Sequence, residues 1–250
     1  MTVPERPRID ERTAYAPRFK NETFIVPLVK AAVETAIGAH ATHAGGKALD
    51  VGCGGQPFRA MLEAREYRYY GLDANPSAGV PVDFTCAIDG DLKDGPVMAA
   101  GPFDFILCTE VLEHVADWPR AFENLSALLA PRGKLVVTSP FFYYLHEEPY
   151  DFFRPTSHAL AAFATRSGLI ALENRQLGDA WDVLGTIMAG CRFRARDESM
   201  ISRSTAWWLW KLRDFVFRRI ARGAIRKRIS FSGGLYISNL SVMEKPASPV

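Results

Sequence analysis

Several features of common protein classes are missing from this 250-residue chain. Its four cysteines form no C-x-x-C pair and have no metal-ligand spacing; they stand at Cys53, Cys86, Cys108 and Cys191. This excludes a cysteine-based zinc site and favours a reduced compartment. No apolar run approaches the roughly 20 residues that span a bilayer. The N-terminal M-T-V-P-E-R-P-R lacks an apolar signal core, so we expect a cytoplasmic protein.

Net positive charge is concentrated in one segment. The net charge is +2, but residues 192–228 hold twelve Lys or Arg against three acids, a charge of +9 that leaves −7 for the rest. Within this segment, the tryptophans and cations of residues 206–229 predict a basic amphipathic helix. Such a helix suits an anionic lipid surface, at the inner membrane face, or an anionic acceptor. The alternative is a helix packed as a lid or dimer contact, with solvated arginines.

Short apolar segments alternate with helical ones along most of the chain. Strands are expected at residues 47–51, 67–73, 82–89, 103–109, 134–139, 169–177 and 236–244. Helices are expected at residues 23–38, 57–65, 117–129 and 157–166. This alternation predicts an α/β fold whose parallel sheet is covered on both faces.

The same pattern divides the chain into three parts. Residues 1–44 form an irregular segment and a cap helix. Residues 45–178 together with 232–246 form the α/β domain. Residues 179–231 form a basic, aromatic helical insertion between the last two strands, far longer than an ordinary connection.

Small and acidic residues follow the ends of the first four strands, where parallel sheets bind ligands. The first strand ends in L-D-V-G-C-G-G at 49–55, and Asp73 ends the second, 23 residues after Asp50. An acid at that position commonly accepts hydrogen bonds from ribose hydroxyls. A dinucleotide fingerprint would need glycine where Pro57 stands, which argues against a nicotinamide oxidoreductase.

These residues resemble the class I S-adenosylmethionine-dependent methyltransferases, in particular the small-molecule, type 11-like group. The blocks that carry the resemblance are 49–55, G-L-D at 71–73, F-D-F-I-L-C-T-E-V-L-E-H-V at 103–115 and L-L-A-P-R-G-K-L-V-V-T-S-P at 128–140. The family's acid-x-G-x-G-x-G loop is matched except that Gln56 replaces its last glycine. The resemblance implies a Rossmann-like, doubly wound, seven-stranded sheet in three α/β/α layers, mostly parallel with an antiparallel last strand.

The resemblance also implies which residues hold S-adenosylmethionine and its product S-adenosylhomocysteine. Residues 52–54 would approach the methionyl part, Thr109 and Glu110 would border it, and Asp73 would hold the ribose. Asp89 would reach the adenine amino group, with Asp91 as the alternative. The implied cofactor-binding residues are Asp50, Gly52, Cys53, Gly54, Asp73, Ala74, Asp89, Thr109 and Glu110.

The acceptor side is expected in the aromatic stretch 141–158. It contains an H-x-x-P-x-D-x-x-R pattern, also found in some members of the resembled group, which names His146, Asp151 and Arg154 as catalytic candidates. A histidine near neutral pKa can remove a hydroxyl proton. Arg154 could bind an acceptor carboxylate or phosphate, or pair with Asp151. His114 is expected to be structural or close to the cofactor, and no metal ligand is expected.

The function implied is methyl transfer by in-line displacement, at oxygen, to a small-molecule or a lipid- or glycan-linked acceptor. Two alternatives stay open: a catalytically inactive protein that binds the cofactor, and an RNA methyltransferase. Nucleic acid is disfavoured, because C-T-E-V follows the fourth strand where many nitrogen-methylating enzymes on nucleic acids carry N-P-P-Y. The oligomeric state is not indicated.

Overall fold

The computed structural model describes residues 14–76, 79–221, 223, 225–231 and 234–247. The helices are α1 (Val26–His40), α2 (Arg59–Glu63), α3 (Pro96–Ala100), α4 (Trp118–Leu128), α5 (Ser157–Arg166), α6 (Ala180–Gly190) and α7 (Met200–Ala221). The strands are β1 (Lys47–Val51), β2 (Arg68–Asp73), β3 (Phe84–Thr85), β4 (Phe103–Thr109), β5 (Leu129–Pro140), β6 (Ile170–Leu177) and β7 (Ser238–Glu244). Two 3₁₀ turns cover Lys20–Glu22 and Leu112–His114.

The seven strands form one sheet in the order β3-β2-β1-β4-β5-β7-β6. β7 runs antiparallel to β5 and β6, and the remaining pairs are parallel. The predicted Rossmann-like fold with an antiparallel last strand is therefore confirmed. The strand order reverses between β1 and β4, which is where an open α/β sheet forms its ligand crevice.

Side chains of the central strands point alternately into two hydrophobic cores, one on each face of the sheet. On β4, Phe105 and Leu107 join the core under α1, α6 and α7. Ile106 and Cys108 join the core under α4 and α5. The sheet is thus covered on both faces, and its buried strands hold the loops of the crevice firmly in place.

Two boundaries differ from the sequence expectation. The strand predicted at 82–89 is only the two-residue β3, because the chain turns at Gly90, whose amide bonds to Ala87 O. The helix predicted at 117–129 ends at Leu128, within one residue, but the strand predicted at 134–139 already begins at Leu129 and contains Pro131 and Gly133. This longer β5 pairs from its first residue with Phe103 on β4.

The insertion also differs from the single helix predicted at 206–229. It contains α6, capped by Asp179 through Trp181 N, and then α7, which begins at Met200. α7 ends before Gly223, whose φ of +65° is incompatible with a continuing α-helix. In the part of the chain that the structure describes, no helix combines the length and the apolar character that crossing a membrane requires.

Candidate active site

A cavity of about 400 Å³ lies at the carboxyl ends of β1 and β4. A smaller cavity of about 70 Å³ lies beside it, between the ends of β2 and β4. Four residues line both cavities: Gly52, Glu110, His114 and Glu147. Together the two cavities form a bent cleft at the point where the strand order reverses.

The turn after β1 forms one wall of the cleft. Gly52 has a φ of +65°, and a Cβ at this position would lie 2.4 Å from Val111 Cγ2. Only glycine therefore allows the turn to approach the loop after β4 this closely. At Gly54, whose φ is +47°, an added Cβ would meet nothing within 4 Å. The turn thus leaves open space on the cavity side for a ligand.

The predicted ribose-binding acid holds this turn to β2. Asp73 Oδ2 accepts a hydrogen bond from Gly54 N at 3.0 Å, and its Oδ1 accepts one from Asn75 N at 2.8 Å. Asp73 lines the smaller cavity together with Ala74, Ile88 and Asp89. The residues expected to hold the adenosine half are thus brought together, and Ile88 adds an apolar wall that the sequence analysis did not name.

Asp50 lies buried beneath the turn. It accepts a hydrogen bond from Tyr69 Oη at 2.9 Å. Burial raises the pKa of Asp50 to about 7; the Tyr69 hydrogen bond opposes this shift and the charge of Asp73 adds to it. Asp50 therefore titrates close to neutral pH, and a cationic group in the cavity would draw it to the carboxylate form.

Two glutamates follow β4 and face the same cavity. Glu110 adopts a left-handed φ of +52°, its amide bonds to Thr138 O at 3.1 Å, and burial raises its pKa to about 7. Burial, and then the charge of Glu110, raise the pKa of Glu113 well above the ordinary value. Both carboxylate oxygens of Glu113 are buried and accept no hydrogen bond from any residue that the structure describes.

This arrangement fits S-adenosylmethionine. The cofactor carries a sulfonium and an ammonium cation but no phosphate, so it needs acidic acceptors rather than a phosphate cradle. Asp50, Glu110 and Glu113 supply carboxyl acceptors in one cavity, and Glu113 accepts no hydrogen bond from the described residues. Thr109 lines it as well, with a buried hydroxyl oxygen that has no partner among the described residues.

The three catalytic candidates form one cluster in the loop after β5. Asp151 Oδ2 accepts from His146 N at 2.9 Å and lies 3.3 Å from His146 Nδ1. Arg154 donates to both Asp151 oxygens, at 2.5 and 2.6 Å. Only His146 of the three lines the cavity. Of the two roles expected for Arg154, the ion pair with Asp151 is the one that the geometry forms.

Burial lowers the pKa of His146, and the neighbouring His114 lowers it further. Burial would raise the pKa of Asp151, but the Arg154 hydrogen bonds and the His146 backbone N–H outweigh it and lower that pKa. At neutral pH the cluster therefore holds a neutral imidazole beside a carboxylate. Because Tyr144 O, 3.1 Å away, can only accept, we assign the imidazole proton to His146 Nδ1.

His114 was expected to be structural or close to the cofactor, and it lines both cavities. Its Nδ1 donates to Tyr150 O at 2.8 Å, and its ring centroid lies 4.7 Å from that of His146. The Glu113, His114 and His146 side chains offer ligand atoms that all lie within 4.8 Å of one another. Glu113 was not named as a site residue, although E-V-L-E-H directly after a buried strand was a signal for it.

The N-terminal segment supplies a wall that sequence reasoning missed. Asn21 Nδ2 donates to Tyr143 Oη at 2.8 Å, which joins this segment to the loop after β5. Six of its residues line the large cavity: Tyr15, Phe19, Asn21, Glu22, Ile25 and Val26. No local motif marks them, because their position depends on how α1 packs on the sheet.

Comparison with known proteins agrees with this geometry. The family model of the methyltransferase domain matches residues 25–216. A ubiquinone biosynthesis O-methyltransferase of Chromobacterium violaceum is 34% identical over 39% of this chain and 45% of its own length. That of Xanthomonas axonopodis pv. citri is 30% identical over 41% and 46%. The matched part thus spans less than half the length of these relatives.

Solved structures share the fold at lower identity. A SAM-dependent methyltransferase from Archaeoglobus fulgidus superposes with a TM-score of 0.53 at 13% identity, over 88% of this chain and 94% of its own. The Burkholderia thailandensis 1,6-didemethyltoxoflavin-N1-methyltransferase, solved with its acceptor and S-adenosylhomocysteine, gives a TM-score of 0.50 at 14% identity, over 87% and 78%. Since the family model covers most of the chain, from α1 into α7, the protein belongs to the methyltransferase domain family, among the class I S-adenosylmethionine-dependent methyltransferases that its motifs resemble.

Proposed function

We propose that this protein transfers a methyl group from S-adenosylmethionine to an oxygen atom of a small-molecule or a lipid- or glycan-linked acceptor. The observation that carries the proposal is the position of His146. It faces the same cavity as the glycine turn, and a buried carboxylate lies behind it. The similarity to ubiquinone biosynthesis O-methyltransferases supports oxygen as the acceptor atom.

The residues that would hold the cofactor divide between the two cavities. The Asp73 carboxylate can accept hydrogen bonds from ribose hydroxyls. Asp89 lines the same cavity and can accept one from the adenine amino group. Asp50, Glu110 and Glu113 line the large cavity, where a cation at the methionyl end would favour their carboxylate forms. When bound, S-adenosylmethionine supplies an electrophilic methyl group. The chain's own contribution is to align donor and acceptor and to exclude water.

His146 is suited to remove the proton of an acceptor hydroxyl. Its lowered pKa keeps the ring neutral at pH 7, and its Nδ1 hydrogen faces Tyr144 O and Asp151. Nε2 therefore keeps the lone pair that accepts the proton. The imidazolium then formed is stabilised by the Asp151 carboxylate, whose charge Arg154 holds in place.

Replacement of His146 by alanine tests this role. We expect His146→Ala to bind S-adenosylhomocysteine within about twofold of the wild type, while turnover with hydroxyl-bearing acceptors falls about 10²- to 10⁴-fold. Calorimetry measures the binding, and formation of S-adenosylhomocysteine measures the turnover. His158→Ala is the matched control, because His158 is exposed nearby at the start of α5.

Each outcome separates the alternatives. Unchanged turnover in His146→Ala would remove His146 as the base. Cofactor binding without turnover on any acceptor would favour the inactive, cofactor-binding protein, and a wild type that binds no donor would exclude methyl transfer altogether. An anionic lipid surface contacted through residues 206–229 is the partner that suits a lipid-linked acceptor; a salt-steep affinity for RNA would favour nucleic acid instead.

A further inference from the structure

Helix α7 carries a large unpartnered aromatic surface. No side chain of its first thirteen residues, 200–212, is buried. Trp208 is 66% exposed and Met200 is 87% exposed. The large hydrophobic side chains exposed along the helix are Met200, Ile201, Trp207, Trp208, Leu209, Trp210, Leu212 and Phe215. An apolar patch of this extent on a water-soluble surface marks an interaction site.

The C-terminal half of the helix shows which side faces outward. Arg213, Phe217 and Ile220 are buried against the domain. The opposite side carries a stripe at helical spacing, which we call the outer face of α7: Ile201, Trp208, Leu212 and Phe215. By the 3.6-residue repeat, these four side chains share one side of the helix, away from the buried three.

Cations lie over and beside the exposed aromatic rings. Lys211 Nζ lies 5.3 Å from the Trp207 ring centroid and 5.2 Å from that of Trp210. The Arg219 guanidinium lies 4.7 Å from the ring centroid of Phe215. The one acid on the helix, Asp214, is already paired with Arg218 and Lys20. The patch is therefore apolar at its centre and positively charged around it.

We infer that the outer face of α7 docks on an anionic lipid bilayer. Tryptophans seated at headgroup depth, aliphatic side chains below them and cations beside them are the groups by which an interfacial helix binds. A second copy of this chain fits less well, because a twofold interface would set two +9 segments against each other. Nucleic acid would engage the cations but leave Ile201 and Leu212 without an apolar partner.

The same helix contacts the rim of the large cavity. Phe217 on α7 packs edge-on against Phe24, with centroids 5.9 Å apart, and Lys20 lies 3.9 Å from Asp214. The turn that contains Lys20 also contributes Asn21 to the cavity, and Phe19, just before it, lines the cavity while 63% exposed. The inner side of α7 thus contacts the segment that lines the cavity, and this contact connects the docking helix to Phe19.

The position of α7 indicates the class of acceptor, and this part of the inference rests on the proposed function. The acceptor is an amphiphile that resides in the bilayer and enters the cavity from the lipid side, past Phe19. The membrane contact itself needs neither cofactor nor turnover, so it is tested without them.

Vesicle flotation tests the docking surface. With vesicles of 30% phosphatidylglycerol in phosphatidylcholine, we expect the protein to float, and with pure phosphatidylcholine to stay at the bottom. Replacing Trp208 of the outer face together with the exposed Trp207 and Trp210 beside it by alanine should reduce the bound fraction at least tenfold. Changing Lys211, Arg218 and Arg219 to glutamine should lower partitioning about 100-fold, at roughly fivefold for each cation.

A matched variant controls for the loss of exposed apolar surface as such. Ile170→Ala with Leu172→Ala removes two side chains, each 46% exposed, from the edge strand β6, and flotation should not change. Flotation that is equally strong in the tryptophan variant would overturn the proposal. The proposal would also be overturned if the wild type does not bind the vesicles and sediments as a dimer, while the tryptophan variant sediments as a monomer.

A reporter at the cavity mouth tests the orientation. An environment-sensitive NBD label on Phe19→Cys, with Cys86 and Cys191 changed to serine, should gain emission when anionic vesicles are added. The same label on Glu123→Cys, in α4 on the opposite face of the sheet, should show no change. Equal emission changes at both positions would contradict entry of the acceptor from the lipid side. The methylation assay on soluble acceptors tests the proposed function separately from this result.

Discussion

At the scale of single residues, the site is a group of acids whose ionisation is held back by burial. Burial raises the pKa of Asp50 from the ordinary 3.8 to about 7. Glu110 behaves alike, with a pKa of about 7. An enzyme that binds a cation gains from such acids, because the bound cation stabilises the charged form that the empty cavity disfavours.

The raised pKa makes a prediction about stability. The unfolded chain releases the Asp50 proton near pH 3.8, whereas the folded chain holds it to about pH 7. The stabilisation from the protonated form is therefore full below 3.8 and lost as the pH rises through 7. We expect Asp50→Asn to stabilise the cofactor-free protein, by about 1–2 kcal/mol more at pH 8 than at pH 6.

Urea unfolding at the two pH values measures this difference. Asp83→Asn is the control, because Asp83 lies nearby, between β2 and β3, and accepts its hydrogen bond from Gly71 N outside the two cavities. A gain for Asp50→Asn that is the same at pH 6 and pH 8 would show that Asp50 does not titrate in this range. Asparagine keeps an acceptor for Tyr69, so the fold itself should survive the change.

At the scale of elements, most strands were predicted from sequence, including the edge strand β6, but the length of β3 was not. β1 and β4 match the predicted residues, because each is a short apolar run between clear breaks. β3 is only two residues long, because the chain turns at Gly90. The insertion was the weakest part: the apolar run of α6 was not assigned, and Gly223 ends a helix that periodicity alone continues to residue 229.

The turn after β1 provides an element-scale prediction. Gly52→Ala should cost about 1–3 kcal/mol of stability and weaken donor binding at least tenfold, since its φ of +65° is left-handed and the new Cβ would clash with Val111. Gly54 has a similar φ, but a Cβ added there would meet no atom within 4 Å. Gly54→Ala should therefore lose less stability than Gly52→Ala. Thermal unfolding and calorimetry provide the two measurements.

A double variant separates the backbone strain at residue 52 from the steric clash of its new Cβ with Val111. In Gly52→Ala with Val111→Ala, the collision partner is removed while the left-handed backbone remains. We expect this double variant to recover part of the binding that Gly52→Ala loses. If Gly52→Ala and Gly54→Ala behave alike, the close approach of the turn to Val111 is not what requires glycine there.

At the scale of the whole molecule, the cofactor half could be predicted from the sequence and the acceptor half only in part. The residues proposed to bind the cofactor follow strand ends in chain order, so a motif of fixed spacing predicts them. The acceptor cavity is built from Asn21, Glu113, His114 and His146, which come from three distant segments. Their meeting depends on tertiary packing, and no spacing in the sequence encodes it.

The division of charge in the whole molecule supports a last prediction. The chain outside residues 192–228 carries −7, and three of its acids meet in one cavity, so a cationic donor should stabilise the fold. At 100 times its Kd, S-adenosylmethionine should add about 2.7 kcal/mol, or about 5–10 °C in Tm. At one fixed donor concentration, the shift should be larger at pH 8 than at pH 6, because Kd is lower when more of Asp50 and Glu110 is ionised. Differential scanning calorimetry measures it, and NAD is the control: a shift with NAD but not with the donor would contradict the assignment of this cleft.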